Sequence, residues 1–459
     1  MQIKTFDVAV IGAGTAGMEA CRQAADKGAH TCLIEAEAWG TTCILTGCIP
    51  SKLLLAAGDA ARRIRRSGAF GLRTPQVEVD GLALMARVRE EREHFLAGVL
   101  EKIEAIPEDR RLRGRARFLS PTRLQVGDDL QVEAHSIVIA TGSRPIMPEP
   151  LEPVRERVLT TQSVFDLAAP PASLAVIGAG ALGIELALAF GRLGVKVAVF
   201  DKASTVAGLK EPDVSRAAAE RFAEELELHL ETEVEVSADA DGLRVAWRSA
   251  ATGEAVFEQV LAATGRTPAV DGLDLVRAGL KLDDQGVPLH DPRTGRCGES
   301  RIFIAGDTNA DRPVLHEVAL QGRLAGANAA TDADEQAPRR PAFSMTFSDP
   351  DCAAVGEPLA GLGDDAVWAV FDRGRGRARI DGRRPGFIKL WARRSDGRLL
   401  GGEMVGAEME SLAQLYAVLV QQELTAVQAL ELPFYHPTYA EELKGALEML
   451  ASARAQPQA

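Results

Sequence analysis

The sequence predicts an α/β fold with two nucleotide-type βαβ units and a trailing α+β segment, on three observations. One pattern occurs twice. "VAVIGAGTAGMEACRQAADKGAHTCLIEA" from Val8 and "LAVIGAGALGIELALAFGRLGVKVAVFDK" from Leu174 each read as strand, glycine turn, helix, second strand and acidic residue. A shorter pattern also recurs: "IVIATGSRP" and "VLAATGRTP" are apolar strands ending in Thr-Gly. From about Pro341, past the Pro/Arg-rich "QAPRRPAF", strands followed by helices replace the βαβ alternation.

In the first copy the glycines are Gly12, Gly14 and Gly17 and the acid is Glu35; in the second they are Gly178, Gly180, Gly183 and Asp201. Each acid stands 18 residues beyond its third glycine. A single such triplet is weak, but here triplet, flanking strands and distance to the acid all recur. They predict two Rossmann-like dinucleotide-binding domains. The first glycine makes the tight turn, the second lets backbone approach a pyrophosphate, and the third allows close helix–strand packing. The helix N-terminus offers free N–H groups to phosphate, and the acid accepts from a ribose.

Between the two copies, Leu84 to Ile106 reads as a long amphipathic helix to which no chemistry is assigned. The apolar run Leu174 to Gly194 approaches the length of a membrane span, but its glycines, Glu185 and Arg192 fit a buried strand–turn–helix better. The two Thr-Gly strands read as returns of the chain to their own nucleotide domains, and "RIFIAGD" is a buried strand ending in Asp307. "MTFSDPDCAAVG", "GFIKLWAR" and "LLGGEMVG" supply the strands of the last segment.

Composition narrows the function classes. The chain has 459 residues, 46% of them apolar, and a net charge of −13, which argues against a general nucleic-acid binder. Its basic runs, "ARRIRRSG", "RRLRGRARF" and "DRGRGRARIDGRR", lack interleaved aromatics and read as solvated surface. "FDVAVIGAG" near the N-terminus shows no signal-peptide pattern, so a cytoplasmic protein with no membrane partner is expected. Structural disulfides are rare there.

That makes "TTCILTGCIPSK" informative. Two residues five apart on an ideal helix have Cα atoms roughly 8–9 Å apart, whereas a disulfide needs about 7 Å or less. A Cys43–Cys48 bridge therefore requires a break in the helix, for which Gly47 is a permissive position. Lys52, four residues beyond Cys48, would favour a thiolate there. Zinc ligation with Cys21 and Cys32, or two unreactive thiols, are the competing readings. Both extra cysteines fall inside the first βαβ unit, where a buried thiol is ordinary. Cys297 and Cys352 read as structural, and no metal is expected.

"GTTCILTGCIPSK", two dinucleotide motifs, "ATG" twice, "AGD" and "FYHPTYAEE" together resemble the class I flavoprotein disulfide reductase family, most of all its dihydrolipoamide dehydrogenase branch. The resemblance runs from the first strand to the last helix. It implies an FAD domain in two parts (1–148 and 269–338), an inserted NAD domain (149–268), and a C-terminal dimerisation domain (339–459). Cys43 would exchange with a dithiol substrate, Cys48 would face the flavin, and Lys52, partnered by Glu185, would stand near its N5. Glu35 would bind the FAD ribose, Asp307 the ribityl chain, and the Leu315–His316 backbone the pyrimidine edge. Thr42, Ala116, Thr141 and Gly142 would also contact FAD, and Gly265 would join the NAD-site glycines.

His436, followed by Pro437 as a helix start, would be the base, oriented by Glu441 and supplied by the other subunit of a homodimer. The implied activity is oxidation of a dihydrolipoyl dithiol, free or on a lipoyl carrier, with NAD+ as acceptor. Asp201, where a 2′-phosphate would be repelled, favours NAD over NADP, with Lys202 as the one dissenting residue. The alternatives are a glutathione-type or mercuric-reductase-like enzyme using NAD(P)H, or a soluble transhydrogenase. No cysteine follows Cys352, which counts against the mercuric type. Three positions depart from the dihydrolipoamide pattern: "WGTT" before Cys43, Phe434, and "LHEVALQG" without its usual acids.

Overall fold

A computed structural model describes residues 2–374 and 376–455; positions 1, 375 and 456–459, which the expected first and last domains include, lie outside the described residues. The protein is mixed α/β, as expected. The chain forms two compact units. The first comprises Met1–Ile49, Arg89–Ile146 and Arg266–Arg339, and the second Pro50–Val88, Met147–Gly265 and Arg340–Ala459.

The first unit is built on a seven-stranded sheet. Its parallel part runs Arg111–Arg113, Thr31–Glu35, Gln2–Ile11, Leu130–Ile139 and Ile302–Ile304, with Ile11 beside both Ile34 and Ile139. Val8, Ala9, Val10 and Ile137 to Ile139 are inaccessible to solvent, because the sheet is covered on both faces. An antiparallel hairpin, Ala116–Ser120 with Arg123–Val126, extends the other half of Leu130–Ile139. Helices Thr15–Asp26 and Leu315–Thr331 pack through small residues. A Cβ on Gly322 would lie 2.4 Å from Ala16 O, and one on Gly326 2.2 Å from Ala20 O.

The second unit contains a five-stranded parallel sheet ordered Glu227–His229, Lys196–Phe200, Ser173–Ile177, Gln259–Ala262, Leu159–Thr160. The run of near-membrane length resolves into strand Ser173–Ile177 and helix Ala181–Arg192, whose residues are buried almost throughout. A three-stranded meander, Glu233–Asp239, Gly242–Arg248 and Thr252–Phe257, accompanies it. The last segment is a five-stranded antiparallel sheet, with a strand at Ala366–Phe371 beyond those anticipated. Helices Met409–Gln421 and Ala440–Ala455 share its core through Tyr416, Leu443 and Leu447.

The helical run Thr42–Phe70 is, among the described residues, the one long and apolar enough to cross a membrane by length and composition. Leu54 and Leu55 on it are buried in the core of the second unit.

Candidate active site

The two glycine turns fold alike. Gly12 and Gly178 adopt φ of +103° and +114°, and a Cβ on either would come within 2.4 Å of a carbonyl oxygen at the neighbouring strand's end, Ala140 or Ala263. A Cβ on Gly17 or Gly183 would lie 1.8 or 2.0 Å from the first glycine's carbonyl oxygen, so only glycine lets the helix sit this close. The acids are fixed in the same way. Glu35 Oε2 accepts Ala13 N–H at 2.8 Å and Oε1 accepts Glu37 N–H at 2.9 Å. Asp201 Oδ2 accepts Ala179 N–H at 2.6 Å and Oδ1 accepts Ala203 N–H at 2.8 Å.

The middle glycines differ from the other four. Gly14 and Gly180 have ordinary φ of −70° and −66°, and a Cβ on either would meet no atom of the chain within 4 Å. Nothing in the chain itself requires glycine there. The open approach to the helix N-terminus fits a dinucleotide pyrophosphate. Gly14→Ala is therefore expected to leave the folded chain as stable as before while lowering FAD content. Gly180→Ala should keep FAD and raise KM for the nicotinamide dinucleotide. Thermal unfolding, flavin absorbance and steady-state kinetics read the three quantities separately.

The Thr-Gly strands do something the sequence reading did not foresee. Ser143–Pro145 and Arg266–Pro268 pair with each other, antiparallel, as a two-stranded ribbon within the first unit. Their side chains hold the acid after "RIFIAG": Ser143 Oγ donates to Asp307 Oδ2 at 2.7 Å, and Arg266 Nε donates to Ser143 Oγ at 2.8 Å. Burial pulls the Arg266 guanidinium below its ordinary value, with Asp307 opposing. Thr308 Oγ1 accepts Gly142 N–H at 2.6 Å and lies 3.5 Å from Thr141 Oγ1. Ser143, Arg266 and Thr308 were missed from sequence, although the first two sit inside the repeated motif itself. Leu315 and His316 open helix Leu315–Thr331, Ala116 is buried in its strand, and Gly265 has φ +107°.

The cysteine element breaks where it must. Thr42–Leu45 is one helical turn, capped by Thr41, and a new helix, Cys48–Arg66, begins at Cys48. Gly47 is needed for close approach rather than for a positive φ: a Cβ there would lie 2.9 Å from Thr42 O and 3.2 Å from Cys43 Cα. Cys48 is exposed and Cys43 half-buried. Standing at the start of a 19-residue helix, Cys48 receives the positive end of its dipole, which favours negative charge on sulfur. By contrast Cys21, Cys32, Cys297 and Cys352 are buried, and burial pushes each thiol up, Cys297 to about 12.

Lys52 and Glu185 meet within the second unit. Lys52 Nζ lies 2.6 Å from Glu185 Oε2, and Glu185 Oε1 accepts Phe347 N–H at 2.9 Å. The ammonium also sits 4.5 Å over the Phe347 ring. The carboxylate is 4% exposed and the lysine 37%, so this is a half-open ion pair with one costly partner. Lys52→Met should destabilise the protein by about 1–3 kcal/mol, since it leaves a buried carboxylate with only a backbone donor. Adding Glu185→Gln should recover part of that loss in urea unfolding.

His436 and Glu441 also meet. His436 Nδ1 lies 3.0 and 3.1 Å from the two Glu441 oxygens, and Glu441 Oε2 accepts Thr438 N–H at 3.3 Å. The imidazole is 78% exposed. The hydrogen bond with His436 holds the Glu441 carboxyl below the usual carboxylate range. The helix expected to start right after Pro437 begins instead at Ala440. The His436–Pro437 bond is cis, and Thr438 Oγ1 donates to Tyr435 O at 2.7 Å. Cys43 and Cys48 thus belong to the first unit, and both the Lys52–Glu185 and His436–Glu441 pairs to the second. Phe434, one of the three departures from the dihydrolipoamide pattern, packs against the C-terminal core.

The pyridine nucleotide-disulphide oxidoreductase family model matches residues 6–330, and the dimerisation domain of that family matches residues 342–447. A dihydrolipoyl dehydrogenase of Chlamydia trachomatis is 30% identical, over 95% of this chain and 95% of its own. A mercuric reductase of Shigella flexneri is 32% identical, over 95% of this chain and 79% of its own. The crystal structure of LpdA from Mycobacterium tuberculosis matches with a TM-score of 0.82 at 26% identity, covering 96% of this chain and 99% of that one.

Proposed function

The chain belongs to the pyridine nucleotide-disulphide oxidoreductase family, an oxidoreductase with FAD and NAD as cofactors and a dimerisation domain, and within it we propose a dihydrolipoyl dehydrogenase. The observation that carries the proposal is the exposed His436–Glu441 pair in a chain that also bears the Cys43–Cys48 element. A base presented to solvent suits a dithiol that must lose protons, and a transhydrogenase needs no redox disulfide.

In the proposed cycle His436 Nε2 takes the proton of one dihydrolipoyl thiol. The thiolate attacks Cys43 Sγ of the Cys43–Cys48 disulfide, that S–S bond breaks, and Cys48 leaves as thiolate. His436 passes that proton to the departing Cys43 sulfur and takes the proton of the second substrate thiol, which attacks the mixed disulfide and closes lipoamide, so the reduced enzyme holds a Cys43 thiol, a Cys48 thiolate and a protonated His436. The substrate is oxidised by two electrons and the enzyme disulfide is reduced by the same two. FAD, when bound, supplies the route by which this pair leaves as hydride to NAD+. Glu441 holds the imidazole and stabilises its charged form. Lys52 and the Cys48–Arg66 helix dipole favour the Cys48 thiolate. Gly12, Gly14, Gly17, Glu35, Thr42, Lys52, Ala116, Thr141, Gly142, Asp307, Leu315 and His316 are assigned to FAD, and Gly178, Gly180, Gly183, Asp201 and Gly265 to NAD.

The same proposal includes the division into FAD domain (1–148 and 269–338), NAD domain (149–268) and interface domain (339–459), a homodimer whose base comes from the other subunit, a lipoyl carrier as partner, and a cytoplasmic setting. The mercuric reductase relative keeps metal-ion reduction as the rival. Turnover of dihydrolipoamide with NAD+, beside NADP+, beside NADPH with glutathione disulfide and beside NADPH with Hg(II), decides between them. The proposal expects the first combination to be fastest; faster reduction of Hg(II) or glutathione disulfide would replace it.

A further inference from the structure

The run "ARRIRRSG" ends helix Cys48–Arg66 against a cavity of about 720 Å³, all of whose lining belongs to the second unit. That size falls in the usual range for small-molecule sites, roughly 300–1,000 Å³. Seven arginines and five carboxylates line it, an excess of positive charge in a chain of net charge −13. The carboxylates are largely committed. Glu225 is shared by Arg62 at 2.8 Å and Arg192 at 2.9 Å. Asp349 is shared by Arg62 at 2.7 Å and Arg383 at 3.2 Å, Glu224 takes Arg384, and Asp381 takes Arg377.

Four guanidiniums have at most a long contact with a carboxylate. Among the described residues Arg63 and Arg65 have no carboxylate in ion-pair range, Arg65 donating only to the Arg192 carbonyl, and Arg66 has only Glu225 at 3.8 Å. Arg221, on helix Pro212–Phe222, donates to the carbonyls of Val405 at 2.8 Å and Pro385 at 2.7 Å and to no carboxylate. Cations in a last helical turn complement the helix dipole, which accounts for Arg63, Arg65 and Arg66 as helix residues. Arg221 likewise stands in the last turn of its own helix, Pro212–Phe222; the dipoles account for each cation separately, but not for two helix ends bringing their arginines to one cavity. Solvated surface does not account for a concave wall either.

We propose that this cavity is a binding site for a small polyanion of the polyphosphate class, held by Arg63, Arg65, Arg66 and Arg221. Guanidinium groups bind phosphate through paired N–H donors, and several converging from two helices select clustered charge over a single anion. The lining includes no residue of either glycine turn, and the site does not depend on which dithiol the enzyme oxidises.

The test is calorimetric titration of inorganic tripolyphosphate into the FAD-loaded dimer with NAD+ held saturating. Saturable binding is expected, weakening as salt rises. The exposed triple variant Arg63→Gln, Arg65→Gln, Arg66→Gln should weaken it at least about 100-fold, since each charge-assisted hydrogen bond contributes roughly a factor of ten. FAD content and dithiol turnover without tripolyphosphate should stay unchanged in that variant. Absence of binding overturns the proposal. So does binding that the triple variant keeps, or that NAD+ displaces, because the anion then sits in a nucleotide turn.

Discussion

Cys48→Ser, and separately Cys43→Ser, should each abolish dithiol-driven NAD+ reduction, by about 10⁴-fold or more, with fold and FAD content retained. The size follows from the chemistry: a serine oxygen neither forms nor releases a reversible bond to sulfur, so no route remains for the electron pair, and nucleophile losses of this kind are among the largest in enzymology. Retention of the fold follows from placement. Cys43 is half-buried and Cys48 exposed, neither in an apolar core, so the substitution opens no cavity. Differential scanning calorimetry and flavin absorbance check stability and loading beside the activity assay. A Cys21→Ser variant is the control: its thiol is buried, near Thr31 Oγ1 at 3.5 Å, and turnover should persist.

His436→Gln should lower turnover by about 10²–10⁴-fold, the usual contribution of a positioned general base, and Glu441→Gln by an intermediate amount. The pH dependence has a definite sign. Glu441 is held below its ordinary value by His436. A depressed carboxyl contributes its pairing fully above the unfolded value and loses it only as pH falls through the lower, folded value. Glu441 should therefore remain ionised through the range where a free glutamate begins to protonate, and should not set the acid limb of the rate profile. In His436→Gln the Glu441 carboxyl should titrate higher than in the parent, an upward shift that carboxyl NMR reads directly.

Much of this was legible because the relevant signals are local. The two glycine turns, their acids and the Cys43–Cys48 spacing each lie within one short stretch, and steric exclusion at Gly17 and Gly183 shows why the spelling is so constrained. The Lys52–Glu185 pair, 133 positions apart, was reachable only through family resemblance. Ser143, Arg266 and Thr308 were missed because holding Asp307 is a tertiary act; the repeated Thr-Gly motif marked two strands but not that they pair with each other. The meander at Glu233–Phe257 could have been found: Val234 and Val236 are buried between Glu233, Glu235 and Ser237, a plain period of two. Strand Ala366–Phe371, "AVWAVF", gave no such alternation and could not be told from a helix segment. Packing of Gly322 and Gly326 on Ala16 and Ala20 has no one-dimensional signature beyond small residues four apart. The arginine run was read as solvated surface because nothing in its own stretch announces Arg221.

In the proposed cycle a dithiol reduces a Cys43–Cys48 disulfide. Anaerobic addition of dihydrolipoamide to the FAD-loaded dimer without NAD+, followed by iodoacetamide and peptide mapping, tests it most directly. New alkylation is expected at Cys43, the exchanging sulfur, absent before dihydrolipoamide is added and slowed in His436→Gln. Cys43 and Cys48 both alkylated before any reductant, or unchanged after it, would mean that no Cys43–Cys48 disulfide takes electrons from the dithiol.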